Sequence, residues 1–401
     1  MKAVPAGDLR ARRRRRVIRN MRRTSVNALL RLAARTGGKP GDAIRVSARG
    51  LERTLKRAER VVASRQLQAP SIAGRWDAAA AEQEYATLLS AVAYRLVPVD
   101  QPLVLITQAP RSGGTLLMRL FDGHPECHAV PHELSTLLPT SLPLPHEADR
   151  AWKVLQNPML ETWFVGGLRA GKGQLSGDRT RHRFLLPPLL QRRVFDHVLG
   201  EQKPGSDRDV LDAYLTSYFN AWLDYRPAPA PRWVTGFEPS AILHPDRLRC
   251  FRELYPDGRL VSVVRDPASW AVSAARRNAR YADRGVAIAT WREAVETALR
   301  LHGERPGEVA IVPFEALVGD TERTMKALAE FLEIEFTADL VAPTFNGRAT
   351  KANSSFPVEG EGVIEGPLSR SEQLPAEDRA EIERELGELH TRALEAALGQ
   401  T

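Results

Sequence analysis

An apolar run leads into a small-residue turn and then into an amphipathic segment at residues 104–125, VLITQAPRSGGTLLMRLFDGHP. The β-branched residues before the turn are typical of a buried strand, and the apolar spacing after it is typical of a helix. Gly113 and Gly114 permit a tight turn and a close approach of the backbone to a ligand. A strand, a turn and a helix in this order indicate a parallel sheet covered by helices.

The same alternation of short apolar runs and longer amphipathic segments continues after residue 100. It predicts strands at 103–108, 233–237, 260–264 and 309–314. It predicts helices around 114–123, 211–224, 245–255, 268–282, 289–302, 319–333 and 375–398. We therefore expect an α/β fold with a central parallel sheet.

The composition divides the chain into a basic N-terminal extension at 1–70 and an α/β domain at 71–401. Residues 1–65 hold 20 Lys and Arg against 4 Asp and Glu, so the net charge of +8 arises at this end. An amphipathic pattern at 50–67 predicts a helix in the extension, which we expect to be partly disordered and partly helical. Within the domain, prolines and a mixed helical pattern predict a helical insertion at about 139–230.

Neither secretion nor membrane insertion is indicated by the sequence. No window holds 18 uninterrupted apolar residues, and VNALLRLAA, after the arginine run, is short and split by Arg31. Cys127 and Cys250 predict buried thiols rather than a disulfide framework, and no metal site is indicated. We predict a cytoplasmic protein. Its basic arm either contacts an anionic membrane or nucleic acid peripherally, or packs with its arginines in water.

The turn after the first strand has the composition of an anion-binding loop. Backbone amides at the start of a helix point into the turn, Ser112 and Thr115 add hydroxyl groups, and Arg111 adds a forked, permanently charged donor. A nucleotide kinase loop would read GxxxxGK[ST], and this turn has neither that spacing nor that lysine. Taken alone, the composition leaves an ordinary strand-to-helix turn equally open.

A second cationic turn occurs in LVSVVRDPASWAVSAARR, residues 260–277. Arg265 follows a predicted strand, Asp266 is placed as a helix N-cap, and Pro267 is placed at the first helical position. Ser273 lies eight residues after Arg265. Arg265 paired with Asp266 and a packing role for Ser273 is the simpler alternative. Two such turns at the carboxyl edge of one sheet favour a ligand with two separated anionic groups.

These motifs resemble the sulfotransferases that use 3′-phosphoadenosine 5′-phosphosulfate (PAPS), in the style of the bacterial and protein-tyrosine branch. PRSGGTLL, 110–117, resembles that family's 5′-phosphosulfate loop, and VVRDPASWAVSA is similar to its 3′-phosphate element. Three further segments resemble its connecting elements: LFDGHPECHAVPHE (120–133), FRELYPDGRLVSVVRDP (251–267) and VPFEALVGDTERTMKALAEFLEIEF (312–336). The resemblance covers about residues 101–356. It implies a P-loop-like three-layer fold and metal-independent sulfuryl transfer from PAPS to a hydroxyl or amine of a carbohydrate, lipid, peptide or small metabolite.

The resemblance also implies roles for individual residues. Glu133 matches the position of the catalytic base, and its neighbour His132 is the rival for that role. Arg111 would stabilise the charge that grows on the bridging oxygen. The residues that would hold PAPS are Arg111, Ser112, Gly113, Gly114, Thr115, Arg265 and Ser273, with Lys351, Asn353 and Ser354 as further candidates in a late loop or lid at 343–370.

One departure from the family pattern follows the predicted strand at 233–237. Relatives carry a lysine just before a proline there, whereas TGFEP has Glu238 before Pro239. Lys351 or Arg111 would then supply the positive charge. Two alternatives stay open: a nucleotide-binding kinase of related architecture, and a noncatalytic protein that binds membranes or nucleic acid through its basic arm.

Overall fold

The computed structural model describes residues 78–134, 138–169, 181–350, 363 and 368–399. The predicted extension at 1–70 therefore lies outside the described residues. The chain divides into two compact units, Met1–Ala86 with Asn278–Arg284, and Thr87–Arg277 with Gly285–Thr401. In the described part of the first unit, a 3₁₀ helix at Ala279–Ala282 places the Arg280 guanidinium 4.5 Å from the Tyr281 ring centroid.

The second unit contains a five-stranded parallel sheet. Its strands are β1 (Leu103–Gln108), β2 (Cys127–Glu133), β5 (Trp233–Phe237), β6 (Arg259–Val264) and β7 (Val309–Pro313), and their order across the sheet is β2-β5-β1-β6-β7. Two two-residue pairs lie outside the sheet: β3 (Leu168–Arg169) with β4 (Arg181–His182), and β8 (Thr344–Phe345) with β9 (Arg348–Ala349). The predicted α/β fold is confirmed, and β1 and β5 have the predicted bounds.

Strand β2 is the central-sheet strand that the hydrophobic pattern did not predict. Its sequence, CHAVPHE, places two histidines and a proline among few apolar residues, which is unusual for a strand interior. It lies at the edge of the sheet, beside β5, where a proline costs no ladder hydrogen bond on the open side. Edge position explains why the apolar pattern fails here.

The described residues form the following helices, and those that the sequence predicted have bounds a few residues from the prediction. They are α1 (Ala78–Tyr94), α2 (Gly114–Leu120), α3 (Ala148–Leu155), α4 (Leu160–Gly166), α5 (Pro188–Gln202), α6 (Asp207–Ala221), α7 (Pro245–Leu254), α8 (Pro267–Arg277), α9 (Arg284–Glu304), α10 (Phe314–Gly319), α11 (Thr321–Phe331) and α12 (Ala376–Glu395). The helix predicted at 319–333 corresponds to α11, where Asp320 caps the first turn by accepting a hydrogen bond from the Arg323 amide, and the preceding α10 was not predicted.

The core follows from the apolar runs that form the central strands. All six residues of β1 are buried, and β1 pairs with β5 on one side and β6 on the other. Cys127 and Cys250 are buried and form no disulfide. Between β2 and β5 the chain forms helices α3 to α6. Within the described ranges, we find no helix with the length and apolar character needed to cross a membrane.

Candidate active site

The turn between β1 and α2 brings Arg111 to the carboxyl edge of the sheet. Arg111 has a φ of 91° and Gly113 a φ of 112°, so both lie in the left-handed region. Glycine adopts this region readily, whereas an arginine there carries backbone strain of about 1–3 kcal/mol. Such strain is typical of functional turns, and here it aims one cationic side chain out of a tight loop.

The two glycines of this turn are required by close packing. A Cβ atom on Gly113 would lie 2.2 Å from the Phe314 ring, and one on Gly114 would lie 2.4 Å from the Phe237 ring. The Gly114 amide donates to Gln108 Oε1 at 2.5 Å. This amide is therefore occupied by the protein, and α2 has only seven residues. The site depends on its arginines more than on the helix N-terminus.

The loop residues differ in their access to a ligand. Arg111, Gly113 and Thr115 are partly exposed, whereas Ser112 and Gly114 are buried. The Ser112 hydroxyl donates to the Ala109 carbonyl at 2.8 Å and so closes the turn from inside. The alternation leaves the first, third and fifth residues of the predicted loop facing outward.

The second predicted turn has the expected capping geometry. The Ser269 amide donates to Asp266 Oδ1 at 2.6 Å, and Pro267 is the first residue of α8. Asp266 is therefore the N-cap, as predicted. Arg265 and Ser273 are both buried, with 2% and 1% of their surface exposed.

The two turns meet, as the sequence predicted. Arg265 Nη1 donates to the Arg111 carbonyl at 3.4 Å, and the Arg265 guanidinium lies 4.5 Å from the Phe314 ring centroid. Two indole groups fix the backbones of the turns. Trp270 Nε1 donates to the Pro110 carbonyl and Trp291 Nε1 to the Arg265 carbonyl, each at 2.9 Å. Both arginines are thus held in one preformed site.

A third arginine, Arg370, reaches this site from a 3₁₀ helix at Leu368–Gln373. Its Nη1 donates to Ser273 Oγ at 3.4 Å, and the next amide, of Ser371, donates to Ser269 Oγ at 3.2 Å. Arg370 is 5% exposed. Arg370 was not predicted from the sequence, because no local motif marks it and its partner Ser273 is 97 residues away.

The three arginines raise the positive potential of the site. The pKa of Arg370 is lowered to about 9, first by burial and then by Arg265, Arg111 and Arg276. The pKa of Arg265 is lowered to about 10, mainly by burial, and Arg111 contributes, although Glu315 and Asp266 act in the opposite direction. Guanidinium groups stay protonated at physiological pH, so these shifts report crowded and desolvated cations. Such a cluster favours an anion.

The predicted base lies at the edge of the same sheet. Ala129 pairs with Thr235 and Glu133 with Phe237, so four residues of β2 span two of β5. The irregularity lies at 130–132, and it brings Glu133 level with the end of β5. Burial and Arg277 lower the pKa of Arg111, whereas Glu133 raises it, so Glu133 lies within electrostatic reach of Arg111.

His132 belongs to an aromatic cluster instead. Its ring centroid lies 4.9 Å from that of Trp163 and 5.6 Å from that of Tyr218. Its Nδ1 lies 3.0 Å from the Glu133 carbonyl oxygen. The buried Arg119 supports the irregular part of β2, because its Nη2 donates to the Pro131 carbonyl at 3.1 Å. His132 is thus fixed by packing, next to the predicted base.

The late-segment candidates and the glutamate that follows β5 complete the list of residues that the sequence singled out. Lys351, Asn353 and Ser354 lie outside the described residues. Glu238, which the sequence showed as a departure from a lysine, is buried at the end of β5 and forms an ion pair with Arg247, Nη1 to Oε1, at 3.3 Å. The site therefore combines three arginines with two nearby carboxyl groups.

This geometry defines an α/β protein with a cluster of arginines, Arg111, Arg265 and Arg370, next to the strand-to-helix turns of its parallel sheet. A family model described as "Sulfotransferase family" matches residues 102–338, which is more than half of the chain. The chain therefore belongs to the sulfotransferase family, and it is a transferase.

Solved structures of sulfotransferases are also similar to the chain. A sulfotransferase domain from the curacin biosynthetic pathway is 19% identical and covers 73% of this chain and 98% of its own, with a TM-score of 0.46. One from a Synechococcus olefin synthase is 17% identical and covers 72% and 95%, with a TM-score of 0.47. A Mycobacterium avium sulfotransferase is 15% identical and covers 78% and 84%, with a TM-score of 0.37. A comparison with curated proteins gave no match.

Proposed function

We propose that the chain transfers a sulfuryl group from PAPS to a hydroxyl or amine of an acceptor. In this proposal residues 111–115 hold the 5′-phosphosulfate. Arg265, Ser273 and Arg370 hold the 3′-phosphate. Glu133 removes the proton of the acceptor. We further propose that Lys351 and Ser354 contact the nucleotide from the late segment.

One observation carries the proposal: Arg111, Arg265 and Arg370 come from three separate segments and crowd into one buried site. Buried like charges are costly, and an anion that enters between them relieves that cost. The Arg111 loop follows β1, whereas Ser273 lies within α8, so the site offers two subsites, one at each of these places. A ligand with phosphate groups at both ends of a nucleoside matches this arrangement.

The chemistry assigned to each residue follows from charge. PAPS, when bound, supplies the sulfuryl group and a phosphate leaving group. Arg111 lies where negative charge grows on the bridging oxygen, and a cation fixed there stabilises the transition state more than the ground state. Glu133, the last residue of β2, lies within electrostatic reach of Arg111 and can accept the acceptor's proton.

Isothermal titration of the full chain with 3′,5′-ADP, 5′-AMP and ATP tests the proposal without knowledge of the acceptor. We expect 3′,5′-ADP to bind most tightly, because it alone carries phosphates for both subsites. 5′-AMP has no 3′-phosphate and should therefore bind more weakly than 3′,5′-ADP. ATP, titrated with and without magnesium, represents the kinase alternative. Tighter, magnesium-dependent binding of ATP would overturn the proposal in favour of a kinase.

The arm hypothesis has its own test, since residues 1–70 lie outside the described part of the chain. Salt-dependent binding to anionic vesicles or to DNA, together with no binding of 3′,5′-ADP, would favour the noncatalytic alternative. Binding of 3′,5′-ADP by the full chain contradicts it.

A further inference from the structure

Glu238 is a buried carboxyl group with one occupied oxygen and one unoccupied oxygen. It is 2% exposed. Ser240 Oγ donates to Glu238 Oε1 at 3.3 Å, and Arg247 Nη1 forms an ion pair with the same oxygen at 3.3 Å. Within the described part of the chain, Oε2 has no hydrogen-bond partner. A buried carboxylate oxygen left in this way is costly and points to a role beyond packing.

The position of Glu238 places this carboxyl group beside the proposed base. Glu133 pairs with Phe237 in the ladder between β2 and β5, and Glu238 is the residue directly after the end of β5. The Leu134 amide donates to the Phe237 carbonyl at 2.8 Å, and the Glu238 amide to the Ile106 carbonyl at 2.9 Å. The sheet therefore fixes the backbone on both sides of the pair, and Glu133 and Glu238 lie at the ends of two neighbouring strands.

The charges around Glu238 act in opposite directions. Burial raises its pKa, and so does Glu133, whereas Arg247 and the hydrogen bonds of Ser240 lower it. Burial acts most strongly. The neighbours of Glu238 are thus one carboxylate on β2 and one guanidinium on α7, and Glu133 in turn faces Arg111. Electrostatic coupling between Glu238 and Glu133 follows from this arrangement.

We propose that Glu238 is a positioning residue for Glu133, and that the two carboxyl groups accept the acceptor's proton as one coupled pair. This inference rests on the proposed function. In the transfer step the acceptor's O–H or N–H bond breaks and its proton goes to Glu133. The acceptor atom forms the new bond to sulfur, and the electron pair of the broken sulfur–oxygen bond goes to the leaving phosphate. Glu238 acts on this proton transfer through its charge.

A carboxyl titration tests the coupling independently of activity. Glutamate labelled with ¹³C at the carboxyl carbon is followed by NMR as a function of pH, and Glu238 is assigned through E238Q. Glu133→Gln should move the Glu238 midpoint to lower pH by about one unit, because a like charge is removed. Arg247→Met should move it to higher pH. Glu253→Gln, at an exposed ion pair on α7, is the control and should leave it unchanged.

An activity measurement separates a positioning role from a structural one. Glu238→Gln keeps an oxygen that can accept from Ser240 and removes the negative charge, which also ends the ion pair with Arg247. We expect turnover, measured as release of 3′,5′-ADP from PAPS, to fall about tenfold. The acidic limb of the pH–rate profile should move to lower pH and reduce to a single titration. Glu238→Asp should recover part of the rate.

The outcomes are distinguishable from a failure of the proposed function. An unchanged Glu238 midpoint in E133Q, or an unchanged pH–rate profile in E238Q, overturns the inference even if PAPS is used. If 3′,5′-ADP does not bind, the proposed function fails, and the pair's role in transfer fails with it, whatever the NMR titration shows about coupling. Shifts of the midpoint with the expected signs in E133Q and R247M, with binding of 3′,5′-ADP and the expected profile in E238Q, support both.

Discussion

Strand β2 ends at Glu133 and β5 is followed by Glu238, whereas arginines follow β1 and β6. These four strands are neighbours in one parallel sheet. We call the part of this carboxyl edge that holds Glu133 and Glu238 the acidic half. The part that holds Arg111 and Arg265 is the cationic half. The division matches the two tasks of a group transfer. Cations suit an anionic donor, and carboxylates suit an acceptor that must lose a proton.

The two halves also differ in how they are held. On the cationic half, indole groups and Phe314 fix two backbone turns, and Arg370 joins from the C-terminal segment. On the acidic half, an irregular strand is supported by Arg119 through the Pro131 carbonyl. Arg111 lies at the boundary, because burial and then Arg277 lower its pKa, whereas Glu133 raises it. We therefore expect the transfer to take place at Arg111, between the carboxyl groups and the other arginines.

The largest expected effect tests the acidic half. Glu133→Gln should lower turnover about 10²- to 10⁴-fold, because the proton acceptor is lost, while affinity for 3′,5′-ADP is retained. Steady-state release of 3′,5′-ADP from PAPS and calorimetric titration measure the two quantities. Glu308→Gln, at an exposed ion pair with Arg305, is the matched control. A larger loss in His132→Gln than in Glu133→Gln would assign the base to the histidine.

The next effect tests the cationic half. Arg265→Ala should weaken 3′,5′-ADP binding about 100-fold, because removal of one partner of a buried charge pair costs about 2–5 kcal/mol. Binding of 5′-AMP should change far less, since it has no 3′-phosphate. Arg265→Lys should fall in between, because an ammonium cannot make a forked contact. Arg300→Ala, on the exposed face of α9, serves as control. Equal losses for both nucleotides would contradict the 3′ subsite.

Sequence patterns were informative where one strand and its turn carry the signal. The apolar runs of β1 and β5 have the predicted bounds, and Arg265, Asp266 and Pro267 form the predicted strand-to-helix turn. Local chemistry suffices in these places. The apolar run buries a strand, and a proline after a capping aspartate starts a helix.

Sequence patterns did not predict features that depend on a strand's position in the sheet or on contacts with a distant segment of the chain. Strand β2 lacks an apolar pattern because it lies at the sheet edge and contains Pro131. Arg370 has no local motif, since its partner Ser273 is 97 residues away. Glu238 was visible as a departure from the family's lysine, but its pairing with Arg247 and its proximity to Glu133 depend on how α7 and β2 pack.

A smaller effect links binding to stability on the cationic half. Arg370→Met should weaken 3′,5′-ADP about tenfold and also raise the melting temperature of the ligand-free protein by a few degrees. A buried like charge that burial and its neighbours disfavour is replaced by an apolar side chain of similar length. Thermal unfolding with and without 3′,5′-ADP measures both effects. A lower melting temperature with unchanged affinity would make Arg370 a structural residue alone.

The smallest effect separates the two partners within the 3′ subsite. Ser273→Ala removes one hydroxyl group and should weaken 3′,5′-ADP binding about threefold to tenfold, which corresponds to one hydrogen bond of about 0.5–1.5 kcal/mol. Ser217→Ala is the matched control, because Ser217 is also buried in a helix and its hydroxyl donates to the Tyr214 carbonyl. Calorimetric titration of both variants gives the difference.

The same serine tells whether Arg370 and Ser273 act on one phosphate. Arg370 Nη1 donates to Ser273 Oγ at 3.4 Å, so the two side chains are in contact before the ligand arrives. Residues in direct contact show coupled effects, whereas distant residues add. In the R370M background, Ser273→Ala should therefore cost less than it does alone. Strict additivity would mean that the two residues contribute separately, and the cationic half would then be two independent sites instead of one.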